Sequence, residues 1–164
     1  MSHNSNIPEV IPKLGGTHSF AMYWRFNPEF YRLVGSRCAG CGKKHWPRRH
    51  VCPDCGSREM EDVQLSHTGT IEAIGLQTGL YQTGYDDVSP LVHAIIRLDD
   101  GPHVEAEVAG VDPEYLRDLI LNPPGDMRFY DQLEGRRARM VIRRLRKQDN
   151  GNVSYGYKFI LLDQ

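Results

Sequence analysis

Four cysteines carry the clearest chemistry in this chain. Cys38, Cys41, Cys52 and Cys55 read Cys-x-x-Cys, ten residues, Cys-x-x-Cys. Four thiolates at this separation can converge tetrahedrally on zinc, each about 2.3 Å from the metal. A glycine follows each pair, Gly42 and Gly56, and lets the turn close while backbone N–H groups aim at sulfur and disperse its charge. Pro47 and Pro53 stiffen the intervening strands. Iron in a rubredoxin-like site is the main rival, because four thiolates suit either metal. With cysteine at every ligand position, no coordination site stays open for water or substrate, so the expected centre is structural. His45 and His50 lie between the pairs and are expected on the exposed surface of the ribbon, not as ligands.

The chain has four cysteines in all, so a metal leaves none as a thiol nucleophile. No nucleophile elbow, phosphate-binding glycine loop or His-Glu-x-x-His motif occurs. The seven histidines, His3, His18, His45, His50, His67, His93 and His103, fall in no recognisable catalytic arrangement. His93 and His103 flank a predicted hairpin on a face shared with Glu105 and Glu107, either a histidine–carboxylate constellation or the polar face of a sheet. The predicted catalytic residues are therefore none. Arg136, Arg137, Arg139, Arg143, Arg144 and Arg146 form a basic run, and strand alternation puts Arg137, Arg139 and Arg143 on one face. That stripe suits a phosphate backbone, the phosphates of a nucleotide-bearing cofactor, acidic residues of another subunit, or solvent. Twenty basic against 21 acidic side chains give a formal charge of −1, which argues against a nucleic-acid binder. Tyr81 and Tyr85 are too few aromatics for a base-stacking platform.

The elements that must position these residues follow from periodicity. Residues 1–16 are polar, with Pro8, Pro12 and Gly15-Gly16, and read as an extended arm. Residues 17–66 form a helix and zinc-ribbon module. Its helix, Thr17 to Phe26, is capped by Thr17 and ended by Asn27-Pro28, since the residue before proline avoids helical angles. Phe20, Tyr23 and Trp24 share one face, which packs on the core or anchors a partner. Residues 67–164 form a β domain. Thr70–Thr78 is its first strand, with a phase change beside Gly75 that suggests a bulge. Leu91–Asp99 and His103–Val108 make a hairpin around Asp100-Gly101, with Val92, Ala94, Ile96 and Leu98 inward against Val104, Ala106 and Val108. Asp112-Pro113 opens a helix with Tyr115, Leu116, Leu119 and Ile120 on its apolar face. A second short helix through Phe129, Tyr130 and Leu133 is the ambiguous stretch. Ala138, Met140 and Ile142 mark a fourth strand, and Tyr155, Tyr157, Phe159 and Leu161 a fifth. Three strands, a helix and two strands give the element order of an OB-fold, so the expected fold is mainly β: a helix and rubredoxin-like ribbon, then a five-stranded barrel.

No apolar stretch approaches the ~20 residues that span a bilayer. Met1 to Asn6 lacks the layout of a secretory signal. A reducing cytoplasm is the expected compartment, where paired cysteines serve as metal ligands and not as disulfides.

These features resemble a known family of acyl-CoA-associated zinc-ribbon/OB-fold accessory subunits, formerly a domain of unknown function, whose members partner thiolase-like enzymes. The matching residues are Tyr23-Trp24, Cys38-Ala39-Gly40-Cys41-Gly42, Pro47-Arg48, Cys52-Pro53-Asp54-Cys55-Gly56-Ser57, Gly69-Thr70-Ile71 and Tyr155-Gly156-Tyr157-Lys158-Phe159. The likeness runs from Phe20 to the C-terminus, and its cysteine block is the specific part. It implies a non-catalytic subunit of a heteromeric thiolase or acyltransferase complex, which scaffolds its partner and helps bind a coenzyme A thioester. Relatives accompany thiolases, the archaeal hydroxymethylglutaryl-CoA synthase system, phloroglucinol acyltransferases and steroid side-chain aldolases. The small subunit of benzoylsuccinyl-CoA thiolase is another, so a degradative thiolase is a candidate context. In the family the barrel borders the partner's acyl-CoA channel and the ribbon keeps the docking surface in shape. Thiolytic cleavage needs a nucleophilic thiolate and a base, and this chain has no thiol to spare. The stretch Asp112 to Gly135 is longer than the family's usual connection. The alternatives are a zinc-ribbon/OB-fold protein that binds single-stranded nucleic acid, and a free-standing acyl-CoA binding protein.

Overall fold

A computed structural model of the chain describes residues 24–77, 91–112, 114, 116, 133–147 and 153–162. The expected arm 1–16, Phe20, Tyr23, Tyr81, Tyr85 and most of Asp112–Gly135 lie outside the described residues. Trp24 and Arg25 are helical and Phe26 is a turn; a separate helix, α1, then spans Asn27–Arg32 with Pro28 in its first turn. The expected break before Asn27-Pro28 is therefore present, and Pro28 also opens the next helix. A first-turn N–H has no acceptor within its helix, so proline costs nothing there. Leu33 ends α1 in the left-handed region (φ 49°, ψ 50°), its N–H directed at the carbonyls of Glu29 and Pro28. That conformation costs a non-glycine residue roughly 1–2 kcal/mol. Complete burial of the Leu33 side chain offsets it, at about 1.5–3 kcal/mol.

The ribbon sheet has three antiparallel strands in the order β2-β1-β3: β1 Val34–Cys38, β2 Lys44–His45 and β3 Met60–Gln64. Arg48 clamps α1 onto it, its Nε donating to the buried Glu29 carboxylate and its Nη1 to Asp62 Oδ2 at 3.0 Å. Next come β4 Thr68–Gln77, β5 Leu91–Leu98, β6 His103–Ala109, β7 Arg137–Lys147 and β8 Val153–Leu161. They close a barrel in the order β4-β5-β6-β8-β7. Every pairing is antiparallel except β6 with β8, through Val108↔Phe159 and Ala109↔Ile160. This is the five-stranded Greek-key barrel of the OB type. Before β7, Asp112 starts a helical turn as expected: its Oδ1 accepts from the Glu114 N–H at 2.9 Å and its carbonyl from the Leu116 N–H at 3.0 Å.

Strand alternation sends Val92, Ala94, Ile96 and Leu98 inward to meet Val104, Ala106 and Val108, as the pattern predicts. Ile71, Ala138, Met140, Tyr157, Phe159 and Leu161 complete the barrel core, and Leu33 and Leu65 carry it without a break to the ribbon. One expectation changes. The bulge of β4 lies between Ile71 and Ala73, not beside Gly75: Ile71 opposes Ile96 while Ala73 opposes Ile95. Ile71 therefore faces the core and Ala73 does not. The extra residue, Glu72, turns outward, where Arg97 Nε (2.5 Å) and His103 Nε2 (2.8 Å) hold its carboxylate. Ile142 has inward parity but stays 39% exposed, because β4 covers only Arg137 to Arg139 of β7 and Ile142 lies beyond that closure.

Candidate metal centre

Cys38 ends β1, Cys41 sits in the turn after it, and Cys52 and Cys55 bracket an equivalent turn before β3. The two turns are built alike. The Cys38 N–H donates to the Lys43 carbonyl at 2.9 Å and the Gly42 N–H to the Cys38 carbonyl at 2.9 Å. In the second turn the Cys52 N–H donates to the Ser57 carbonyl at 2.8 Å and the Gly56 N–H to the Cys52 carbonyl at 2.9 Å. Both closures need a left-handed residue, and Gly42 and Gly56 share φ +73°.

The turns bring all four Sγ atoms within 4.8 Å of one another. Cys38 and Cys55 stand 3.5 Å apart, Cys41 and Cys52 3.6 Å. A tetrahedron with arms of about 2.3 Å has sulfur–sulfur edges of roughly 3.8 Å, so the donor set fits zinc. Cys38 and Cys52 are buried; Cys41 and Cys55 face outward. Electrostatics set the thiols apart. The backbone N–H of Cys41 is the main cause that draws Cys38 down to about 6, against the opposing effect of burial. The Ser57 N–H favours the Cys55 thiolate too, but the neighbouring sulfurs of Cys38 and Cys52 outweigh it and push Cys55 up to about 12. Sulfurs this close resist ionising together unless a cation supplies positive charge among them.

His45 departs from expectation. Its side chain is only 12% exposed, with Nε2 3.5 Å from Cys52 Sγ and 3.7 Å from Asp54 Oδ2. Lys43 Nζ reaches Asp54 Oδ1 at 2.5 Å. A charge-bearing shell therefore lies against the second cysteine turn, and a strand of only two residues offers no periodicity from which to foresee it. His50 is exposed, as expected.

The other constellation does not assemble. His93 and His103 lie on one outer face but turn to different carboxylates: His93 Nδ1 lies 3.9 Å from Glu105 and His103 bonds Glu72. In the basic stripe, Asp99 already engages Arg137. No helix among the described residues is long and apolar enough to cross a membrane.

Comparison with known proteins agrees with this geometry. The family described as "ChsH2, rubredoxin-like zinc ribbon domain" matches residues 31–61. A DUF35 domain-containing scaffold protein of Pyrococcus furiosus is 32% identical over 147 residues, 89% of this chain and 95% of the relative. The benzoylsuccinyl-CoA thiolase subunit BbsA of Thauera aromatica is 31% identical over 78 residues, 43% of this chain and 54% of that subunit. Among solved structures, the Ltp2-ChsH2(DUF35) aldolase superposes with a TM-score of 0.58 at 18% identity, covering 89% of this chain and 98% of that one, a likeness of fold.

Proposed function

The chain belongs to the DUF35 domain-containing scaffold proteins, and from that premise we propose that it is the non-catalytic accessory subunit of a heteromeric, thiolase-like enzyme of a reducing cytoplasm, with Cys38, Cys41, Cys52 and Cys55 holding one structural zinc ion. The observation that carries this reading is the gathering of the four sulfurs within 4.8 Å of one another. They are all the cysteines the chain has. A bound zinc ion cross-links the two cysteine turns through thiolates and leaves no open position for substrate. Acyl transfer to a thiol needs a nucleophile and a base. Every thiol here is committed to the cluster, so the nucleophile comes from the partner. The chain supplies shape: the core continuous through Leu33 and Leu65 seats the ribbon on the barrel.

The partner class rests on a relative that is itself a subunit of benzoylsuccinyl-CoA thiolase. We extend it to a thiolase-like subunit whose acyl-CoA is held jointly with this barrel. Co-expression with a thiolase-like protein from the same genome tests the reading. The two chains should co-purify, the complex should turn over an acyl-CoA, and this chain alone should not. Turnover by the isolated chain, or acylation of one of its cysteines, refutes it.

A further inference from the structure

Four consecutive residues around β2 point alternately to the two halves of the molecule. Lys43 and His45 face the cysteine turns, through Asp54 (2.5 Å) and the Sγ of Cys52 (3.5 Å). Lys44 and Trp46 face the barrel. Lys44 Nζ donates to Asp100 Oδ2 at 2.9 Å, in the turn between β5 and β6. Trp46 meets Tyr157 of β8 edge-on, ring centroids 6.0 Å apart at 83°. The alternation follows from the two-residue period of extended chain.

This short segment has little stability of its own. It pairs with β1 at two positions only, Ser36↔His45 and Arg37↔Lys44. Its position therefore depends on what grips it at either side. On the barrel side, Asp100 depends on it in turn. Its Oδ2 accepts from Lys44 and from the Ser66 N–H at 3.1 Å, whereas its Oδ1 is buried without a partner. Removing the Lys44 cation leaves the partly buried Asp100 carboxylate with the Ser66 N–H and an unpaired, buried Oδ1, a costly state that a shift of the turn relieves. The bonds within that turn, Gly101 N–H to the Leu98 carbonyl (3.0 Å) and Leu98 N–H to the Pro102 carbonyl (2.9 Å), lie next to it in the chain.

We propose that residues Lys43 to Trp46 couple the metal centre to the barrel, so that the β5–β6 turn around Asp100 and the Tyr157 end of β8 are held in place by a loaded ribbon and loosen when the metal leaves. The inference rests on the zinc reading above. Coupling is reciprocal: whatever the metal contributes to the order of the turn, the turn contributes to retention of the metal.

The test uses the full chain as purified, with metal content measured first. Hydrogen exchange is followed before and after chelation. Amides at 98–103 and around Tyr157 should lose protection, while those at Ile95 and Ala94 in mid-β5 keep theirs. Asp100→Asn keeps the side chain's shape and removes its charge, and Lys44→Met removes the cation. Each should release zinc to a chromogenic chelator about 5- to 10-fold faster, within the usual range of coupling strengths. Arg97→Gln, which loosens an exposed pair outside the segment, should release zinc at the parental rate. Unchanged exchange at 98–103 on chelation, or loss of protection spread evenly over the whole barrel, overturns the coupling and leaves the zinc reading intact. A purified chain without metal overturns both.

Discussion

Asp99, just past β5, and Arg137, at the start of β7, are bridged across β4, the strand that lies between them in the barrel. Arg137 Nη2 donates to Asp99 Oδ2 at 2.8 Å, Nη1 donates to Oδ1, and the Thr68 hydroxyl of β4 donates to the same carboxylate. The Arg137 guanidinium, helped by Thr68, holds the Asp99 carboxyl well below the usual carboxylate range. A folded-state value below the unfolded one stabilises the protein above about pH 4, the ordinary carboxylate value, and the gain is lost as pH falls through the lowered value.

Asp99→Asn should therefore lower Tm at pH 7 and make no difference in strong acid. The side chains are 39% and 44% exposed, so screening limits the pair. Its loss should cost about 1 kcal/mol at most, a shift of roughly 2–4 °C. Thermal melts of both proteins between pH 2 and 7 check this. A difference that persists undiminished at pH 2 contradicts the assignment.

Lys158 of β8 and Glu107 of β6 form an ion pair whose side chains are 8% and 14% exposed. Lys158→Met strands the Glu107 carboxylate out of water and should cost about 3–5 kcal/mol. Adding Glu107→Gln should recover much of that loss. Urea denaturation of the single and double variants gives the coupling directly.

A methyl group at Gly69 would stand 2.5 Å from the Arg97 carbonyl oxygen and 2.8 Å from Ile96 Cγ2. Gly69 pairs with Leu98 on one side and Ala138 on the other, so neither neighbour can retreat freely. Gly69→Ala should destabilise by about 1–3 kcal/mol. At Gly42 nothing lies within 4 Å, yet φ is +73°. Gly42→Ala should cost about 1–2 kcal/mol for conformation alone. Chemical denaturation separates the two, because Gly42→Asn should restore part of the loss and Gly69→Asn none.

Cys38→Ser or Cys55→Ser should abolish stoichiometric zinc binding and unfold the ribbon. Binding free energies of structural zinc run to about 10–16 kcal/mol and act as folding free energy. Elemental analysis and circular dichroism of the purified variants measure this, and co-purification of the partner should fall with them. A variant that stays metal-free yet holds its complex intact contradicts the role given to the centre.

The cysteine set was legible because its geometry is local. Two glycine-closed turns aim their sulfurs whatever the rest of the chain does, and the spacing between the pairs suffices to bring them face to face. The β5–β6 hairpin was legible for a similar reason: strict alternation from Val92 to Leu98 and from Val104 to Val108 meets a strong turn at Asp100-Gly101. Other features had no such local sign. Apolar residues on both sides of Glu72 are compatible with a bulge at several positions, and ion pairing with Arg97 and His103 selects one. Asn27-Pro28 can end a helix or begin one, and here it does both, with the burial of Leu33 against the barrel core fixing the second helix. The parallel pairing of Val108 with Phe159 joins strands far apart in sequence, which no periodicity can announce. Residue types and spacing by themselves determined that four sulfurs meet and that five strands alternate. Only packing decided that the segment from Lys43 to Trp46 faces both ways, with Cys52 on one side and Asp100 and Tyr157 on the other, because a strand as short as β2 takes its direction from its neighbours.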